Sequence, residues 1–242
     1  PTRIPPPTVV APAPTFTSFR NLDLPIASFS IPGIDNGTTP NTPPPPTPAP
    51  ALPLPINSEV GLKWQNAIIE TRKHPRYNGS YDFSKSKEAD LTNGRCKAQD
   101  WMKAQPYGPW CAANPQAIAI DCEMCETKDP ATGVIDSKAL CRISVVNAEK
   151  PDEVLLDTLV KPAWPVSDHR SRINGIAHEH LENVQFTLEH AQAFMSALCS
   201  EETVIIGHAV HNDLIALRME HHCNVDSAFL FSVRDEPGAT CS

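Results

Sequence analysis

Two carboxylates stand one residue apart in the stretch "AIAIDCEMCET", residues 117–127. The apolar run "AIAID" predicts a short buried strand, and side chains at i and i+2 of a strand project from the same face. Asp121 and Glu123 would therefore lie side by side, and like charges this close raise each other's pKa unless a cation lies between them. Magnesium prefers carboxylate, water and phosphate oxygens. The pair predicts a divalent-metal site at the end of a strand.

A third acid strengthens the metal interpretation, because the pair alone could equally be an exposed strand terminus in contact with water. Asp213 lies between Val210, Leu214 and Leu217 in "GHAVHNDLIAL", on the flank of the apolar stripe of a predicted helix. An Asp among apolar neighbours is uncommon unless it binds something. If the preceding strand "TVIIGH" pairs with "AIAID", Asp213 can face the first two acids.

The elements around these acids predict a mixed α/β fold. "ALCRISVVNA" and "EVLLDTLVKP" are strand-like, and the turn-rich connection between them predicts antiparallel neighbours. "TLEHAQAFMSALCS" predicts a helix with Thr187 as its N-cap. A short buried strand, a second helix over Val210–His222 and a further strand at "NVDSAFLF" complete the order βββαβα. His221 and His222 are expected on the surface, at the end of the second helix.

Three segments, "AIDCEM", "DHRSRINGI" and "GHAVHNDLIALR", resemble the RNA exonuclease branch of the DEDD 3′–5′ exonuclease superfamily over about residues 116–232. The resemblance implies an RNase H-like mixed β-sheet flanked by helices, and hydrolysis of phosphodiesters from a 3′ end with two Mg²⁺ or Mn²⁺ ions. It assigns metal-binding and catalytic roles to Asp121, Glu123 and Asp213. It also implies that Met124 packs near the terminal base and that Arg170 contacts the substrate.

The sequence departs from this family at two places. His169 stands where the family has Tyr, and no counterpart of the third motif follows "VDSAFLF", where the family has a helix carrying the last Asp and, in one subgroup, a catalytic His. Asp235 is too near and has no helical pattern around it, and Asp226 is interpreted as structural. We therefore expect a C-terminally incomplete exonuclease domain with impaired activity.

Composition divides the chain into three parts. Residues 1–56 contain 17 of the 26 prolines and are predicted to be a disordered arm, which is a spacer or a ligand for SH3- or WW-type domains. Residues 57–115 are predicted to be a partly helical accessory segment or linker. Residues 116–242 form the predicted exonuclease domain and contain nine basic and twenty acidic side chains, which is not the charge pattern of a duplex-coating protein.

The eight cysteines are scattered, which favours a reducing, intracellular compartment, and the family resemblance suggests the nucleus. Cys122 and Cys125 have C-x-x-C spacing, but no second pair stands at a spacing suitable for zinc, so a structural role is favoured. No apolar run approaches the roughly 18 residues of a membrane-spanning helix. We expect no membrane partner.

Three functions remain open from the sequence. The first is metal-dependent removal of nucleotides from the 3′ end of single-stranded RNA. The second is a non-catalytic scaffold, in which a nuclease fold holds RNA and the Pro-rich arm holds a protein. The third is a DNA-directed exonuclease of the same fold, because 2′-hydroxyl recognition is not encoded in a short motif.

Overall fold

The structure is a computed structural model that describes residues 59–231 of the 242-residue chain. The predicted Pro-rich arm, with its proposed SH3 or WW partner, lies outside these residues, as does the sequence around Asp235. Of the two compact units into which the chain divides, the described residues all belong to the second, Pro48–Ser242. No helix between residues 59 and 231 is long and apolar enough to cross a membrane.

Helices precede the sheet in the chain and also pack against it. In the described residues they are α1 (Glu59–Lys73), α2 (Tyr77–Ser80), α3 (Phe83–Thr92), α4 (Ser171–Asn174), α5 (His178–Leu181), α6 (Leu188–Leu198), α7 (His211–Ala216) and α8 (Ser227–Leu230). Thr187 is the N-cap of α6 as predicted, and its backbone N–H donates to Nδ1 of His190 at 3.1 Å.

The strands form one mixed sheet and one small separate sheet. They are β1 (Met102–Lys103), β2 (Ala117–Lys128), β3 (Ile135–Asn147), β4 (Val154–Leu159), β5 (Val166–Asp168), β6 (Val204–Gly207), β7 (Met219–Glu220) and β8 (Asn224–Asp226). The mixed sheet has the order β4-β3-β2-β6-β8, with β5 also paired to β2, whereas β1 pairs with β7. β4, β3 and β2 are antiparallel neighbours, and β6 runs parallel to β2 and β8. The predicted mixed α/β fold is confirmed.

β2 and β3 are longer than the sequence pattern predicted. β2 continues for seven residues beyond the predicted end at Asp121, because it pairs with β3 along most of its length and with β5 at Glu126 and Thr127. β6 pairs only with Ala117, Ile118 and Ala119. The strand end that the sequence indicated is therefore the end of β6, and β2 runs past it as one arm of a long hairpin.

The main hydrophobic core lies on one face of this sheet. Ile118, Ile120 and Cys122 of β2 share this face with buried side chains of α6 and α7, such as Met195 and Leu214. Buried aromatic residues from the predicted accessory segment belong to the same cluster: Tyr77, Tyr81, Phe83 and Trp101. Helix α1 packs on another part of the sheet, where Ile68 contacts a cluster with Ala117 and Val204.

The predicted helix over Val210–His222 is wrong in its second half. α7 ends at Ala216, and Arg218 adopts a left-handed conformation with φ of 49°, which an α-helix cannot continue through. Met219 and Glu220 then pair with β1. His221 is consequently buried, contrary to the surface position predicted for it, and its Nε2 lies 2.7 Å from the carbonyl oxygen of Thr203.

The C-x-x-C pair does not form a shared metal site. Cys122 belongs to the main core, whereas Cys125 belongs to a separate cluster with Cys141 and Ile176. The two side chains are at positions of opposite parity in β2, so they point to opposite faces of the sheet. The structural interpretation favoured from the sequence agrees with this placement.

Candidate active site

Asp213 occupies the open flank of β2 beyond the end of β6. Its Oδ1 accepts a hydrogen bond from the backbone N–H of Cys122 at 2.7 Å, and its side chain is 6% exposed. An unpaired strand-edge N–H at this buried position would cost free energy, so the carboxylate takes the place of a neighbouring strand. Asp213 is therefore hydrogen-bonded to Cys122, the residue between Asp121 and Glu123.

Asp121 and Glu123 stand on the face of β2 opposite to Cys122. Asp121 is exposed and lies across from Ser144 of β3, and Glu123 is partly buried and lies across from Arg142. The structure thus brings all three predicted acids to one short length of β2. Within residues 59–231, however, no three His, Cys, Asp or Glu side chains are close enough together to hold a metal ion as they stand.

The pKa values of Glu123 and Asp213 are both raised above their ordinary values. The pKa of Asp213 is raised to about 7, mainly by burial and also by the charge of Asp121, while the hydrogen bond from the Cys122 backbone opposes the rise. Burial also raises the pKa of Glu123, again with a contribution from Asp121, while the charge of Arg142 lowers it. Carboxylates that raise each other's pKa are those that a cation between them would stabilise.

Arg142 is the nearest fixed positive charge to the pair. Its Nε and Nη2 donate to the two carboxylate oxygens of Asp157, both at 2.9 Å, and Ser144 also donates to Asp157 at 2.9 Å. This bidentate bond to Asp157 raises the pKa of Arg142, and the charges of Glu123 and Asp121 contribute. A row of alternating charges therefore crosses the exposed face of the sheet from β2 to β4.

The N-terminal end of α7 is held by Asp226, which is fully buried. The carboxylate of Asp226 accepts hydrogen bonds from the backbone N–H of Ala209 at 2.8 Å and from the hydroxyl of Tyr81 at 2.9 Å, and it lies 3.7 Å from Nδ1 of His211. Ala209 is left-handed with φ of 52°, so these contacts offset local backbone strain. Asp226 is structural, as predicted, but its partners were not foreseen.

The C-terminal end of α7 is held by the segment before β2. Arg218 donates to the carbonyl oxygen of Arg95 at 3.0 Å and lies 3.4 Å from Asp90. Gln192 of α6 donates to the carbonyl oxygen of Leu217 at 2.9 Å. A helix of six residues is too short to be stable alone, so these contacts keep Asp213 in position.

Gly207 lies at the end of β6, where the chain passes close to Ile120 of β2 before α7 begins. A Cβ atom at this position would lie 2.9 Å from the Cβ of Val210 and 3.1 Å from the carbonyl oxygen of Ile120. Both distances are shorter than ordinary van der Waals contact, so only glycine fits without movement. The close passage brings α7 against β2 directly beside Asp121.

The two predicted substrate-binding residues have different relations to β2: Met124 directly follows Glu123 in this strand, whereas Arg170 belongs to the segment between β5 and α4. Met124 is partly buried against the main core, and its carbonyl oxygen accepts from the side chain of Asn174 at 3.3 Å. Arg170 is left-handed with φ of 53° and precedes α4. A hydrogen bond from the Cys141 thiol lowers the pKa of Cys125, and the charge of Arg170 also contributes, which places that charge near β2.

The histidines have different environments from those expected. His208 is exposed, with Nδ1 3.1 Å from the hydroxyl of Ser227. His169, which replaces the family's Tyr, packs edge-to-face against His178 with ring centroids 5.5 Å apart. His211 was missed from the sequence, because its partner Asp226 lies on a different element and no local spacing indicates the contact.

Comparison with known proteins finds RNA exonucleases among the relatives. Similar proteins include an uncharacterized exonuclease of Schizosaccharomyces pombe, 32% identical over 67% of this chain and 26% of its own length. RNA exonuclease 1 of Saccharomyces cerevisiae is 35% identical over 54% of this chain and 22% of its length. Small RNA degrading nuclease 3 of Arabidopsis thaliana is 29% identical over 72% of this chain and 20% of its own length. The chain thus spans about a quarter or less of these relatives, and no family model matches it.

Two solved structures are similar over part of the chain. The Neurospora crassa Pan2 catalytic unit has a TM-score of 0.41 at 14% identity, over 62% of this chain and 27% of that one. The Saccharomyces cerevisiae Pan2 exonuclease module in complex with A7 RNA has a TM-score of 0.42 at 17% identity, over 60% of this chain and 25% of that one. The family assignment rests on the sequence relatives together with the three motifs. They bear out the predicted resemblance to the RNA exonuclease branch of the DEDD exonuclease superfamily.

Proposed function

We propose that this protein is a metal-dependent 3′–5′ exoribonuclease that acts on the 3′ end of single-stranded RNA. The observation that carries the proposal is the hydrogen bond from the Cys122 backbone to Asp213, which ties the helix-borne acid to the strand that bears Asp121 and Glu123. Relatives named as RNA exonucleases support the RNA substrate. The direction and the metal requirement follow from the family resemblance.

The three carboxylates fit divalent metal ions in chemical type and in position. Asp213 uses one oxygen for the Cys122 N–H, which leaves the other oxygen available, and Asp121 is exposed on the adjacent strand. The raised pKa values of Glu123 and Asp213 indicate that a cation would be favoured here. Asp121, Glu123 and Asp213 would hold Mg²⁺ or Mn²⁺ once their side chains rearrange, because they do not converge on one point as they stand.

Two such ions would supply an activated water and charge stabilisation for the leaving 3′ oxygen. The residues of this chain position the reactants. Asp213 is fixed by its backbone hydrogen bond, Met124 offers an apolar surface to the terminal base, and Arg170 carries a positive charge toward the substrate. Because the described residues show no further acid or histidine converging on the three carboxylates, we expect slow turnover.

Manganese binding and RNA shortening test this proposal together. Mn²⁺ should raise the melting temperature of the full chain, and Asp121→Asn should abolish that rise. Glu149→Gln is the matched control, because it removes one exposed carboxylate from the turn between β3 and β4. A 5′-labelled single-stranded RNA should shorten stepwise when Mn²⁺ is present.

The pattern of products decides the reaction class. Internal cuts would contradict the exonuclease assignment, and release of the labelled 5′ nucleotide first would contradict the direction. Unchanged RNA under saturating Mn²⁺, with the thermal shift intact, would instead favour the scaffold that holds RNA without cleaving it.

A further inference from the structure

A second site, of opposite charge, lies at the C-terminal end of α7. A cavity of about 350 Å³ opens between α3, the distal part of the β2–β3 hairpin, the segment after β4 and the end of α7. We call it the basic cavity, and its charged lining side chains are Lys85, Asp90, Arg95, Asp136, Lys138, Lys161 and Arg218. Five cations and two acids give this small region a net positive charge, although residues 116–242 are strongly acidic.

The two acids of the basic cavity are already occupied by the two arginines. Asp90 lies 2.9 Å from Arg95 and 3.4 Å from Arg218, and Asp136 lies 3.8 Å from Arg218. The lysines therefore carry the excess charge. Among residues 59–231, neither Lys138 nor Lys161 has a carboxylate within 4.0 Å. These two ammonium groups are therefore available to an anion that enters the cavity.

Lys138 is partly buried and is held by one hydrogen bond. Its Nζ donates to the side-chain oxygen of Asn212 at 3.0 Å, which fixes its position but uses only one of three donors. Burial lowers the pKa of Lys138, and the charges of Asp136 and Asp90 only partly oppose this. A partly buried ammonium costs free energy unless an anion offsets it.

An aromatic ring accompanies the cations. Trp164 lines the basic cavity together with the apolar side chains of Leu140, Leu188 and Ile215. A positively charged groove with an aromatic platform is the combination that binds single-stranded nucleic acid, because phosphates pair with the cations and bases stack on the ring. The volume is in the range of sites that hold small organic ligands.

The basic cavity adjoins the candidate active site through two direct links. Asn212, which binds Lys138, is the neighbour of Asp213 on α7. Leu140, which lines the cavity, is the ladder partner of Met124 in the β2–β3 pair. An RNA strand whose 3′ end lies at the acids could therefore continue into the cavity within a few nucleotides.

We propose that the basic cavity binds a nucleotide of the single-stranded RNA substrate upstream of its 3′ end, with Lys138 and Lys161 on the phosphate and Trp164 on the base. This inference rests on the proposed function for the identity of the strand. It adds a substrate-binding surface built partly by α3, so the segment before β2 contributes to RNA binding.

Binding without cleavage tests the proposal. The affinity of a fluorescein-labelled single-stranded 10-nucleotide RNA is measured by anisotropy with the full chain in EDTA, at several salt concentrations. Lys138→Met, which keeps the buried aliphatic stem, and Lys161→Ala should each weaken binding about fivefold to tenfold. Each should also reduce the slope of log K against log[salt] by about 0.7, the value per phosphate contact for single strands.

Trp164→Leu should give a different signature. We expect about tenfold weaker binding with the salt slope unchanged, because stacking on a base involves no counterion release. Lys150→Ala is the matched control, since Lys150 is an exposed lysine in the turn at the other end of β3. Melting temperatures check that each variant is folded.

The outcomes separate this proposal from the proposed activity. If Lys161→Ala, whose side chain is exposed, and Lys138→Met both bind the 10-nucleotide RNA as Lys150→Ala does, the basic cavity is not an RNA site, whether or not RNA is degraded. If the variants weaken binding as described but Mn²⁺ gives no shortening, the cavity proposal stands and the exonuclease proposal fails. Equal displacement of RNA by inorganic phosphate from wild type and Lys138→Met would also count against the cavity.

Discussion

The strand β2 carries Asp121 and Glu123, whereas the helix α7 carries Asp213, and the two elements are held in different ways. β2 pairs with β3 through Asp121 and Glu123, so its acids are positioned by the regular sheet ladder. α7 has six residues between two left-handed positions and depends on polar contacts from distant parts of the chain. Strand pairing therefore positions Asp121 and Glu123, whereas contacts with residues distant in the sequence position Asp213.

The largest expected effect is on the free energy of unfolding, which should change far more when Asp213 is replaced by Asn than when Asp121 is. Burial raises the pKa of Asp213 to about 7, so the folded state holds its proton more tightly than the unfolded state between pH 3.8 and 7. Stability is therefore lost as the pH rises through this window. At pH 8 in EDTA, Asp213→Asn should stabilise the protein by up to about 4 kcal/mol, measured by urea unfolding.

Asp121→Asn is the matched comparison, because Asp121 belongs to the same candidate site but is exposed. It should change the free energy of unfolding by no more than about 0.5 kcal/mol. Equal effects of the two substitutions would mean that Asp213 is not under the electrostatic strain that its burial implies.

The second expected effect concerns His221, which anchors the chain after α7 to the start of β6. Burial lowers the pKa of His221 to about 4, below the ordinary value of 6.5. Between these values the unfolded state binds the proton and the folded state does not. Stability should therefore fall by about 3 kcal/mol as the pH drops from 6.5 to 4.

Denaturant unfolding across that pH range measures the contribution of His221 as a slope. His221→Gln should flatten the slope, whereas His208→Gln should leave it unchanged because that ring is exposed. Parallel profiles for wild type and His221→Gln would rule out this residue as the source.

Gly207→Ala tests the close approach of α7 to β2. The added methyl group would meet Val210 and the Ile120 carbonyl, so we expect destabilisation of up to about 3 kcal/mol and weaker Mn²⁺ binding. Gly79→Ala is the control, because a Cβ atom at that position would meet nothing within 4 Å and alanine favours a helix. Calorimetric melting with and without Mn²⁺ distinguishes the two, and a neutral Gly207→Ala would show that the passage can widen.

Tyr81→Phe has the smallest expected effect and tests the N-terminal anchor of α7. It removes a hydrogen bond to the buried carboxylate of Asp226, at a cost of about 2 kcal/mol. If the anchor positions Asp213, Mn²⁺ affinity should also fall. Tyr77→Phe provides a comparison, since its hydroxyl is 3.4 Å from the carbonyl oxygen of His222 and does not contact Asp226. Loss of stability without loss of Mn²⁺ affinity would restrict Tyr81 to a structural role.

The sequence was sufficient for the fold class, because the apolar run before Asp121 and the helical pattern around Asp213 are local signals. It was insufficient for the end of α7. The pattern from Val210 to His222 continues to look helical, and the left-handed Arg218 is stabilised by Arg95 and Asp90, which are more than 100 residues away. No local pattern could indicate such partners.

The basic cavity illustrates the same limit. Lys85, Lys138 and Lys161 are spread over the chain and look like ordinary surface lysines in the sequence. Only the packing of α3 beside the β2–β3 hairpin brings them together, and the sequence alone left the role of residues 57–115 undecided. Substrate-binding surfaces built from distant segments are not visible in motifs.

The contacts between α1 and β8 have a consequence for how the chain folds. The backbone N–H of Asp226 donates to the hydroxyl of Thr71 at 3.2 Å, across a sequence separation of 155 residues. Contacts this distant slow folding, because loop closure must precede their formation. During synthesis, α1 must wait until β8 has left the ribosome, and its apolar face is a candidate for chaperone capture in that interval.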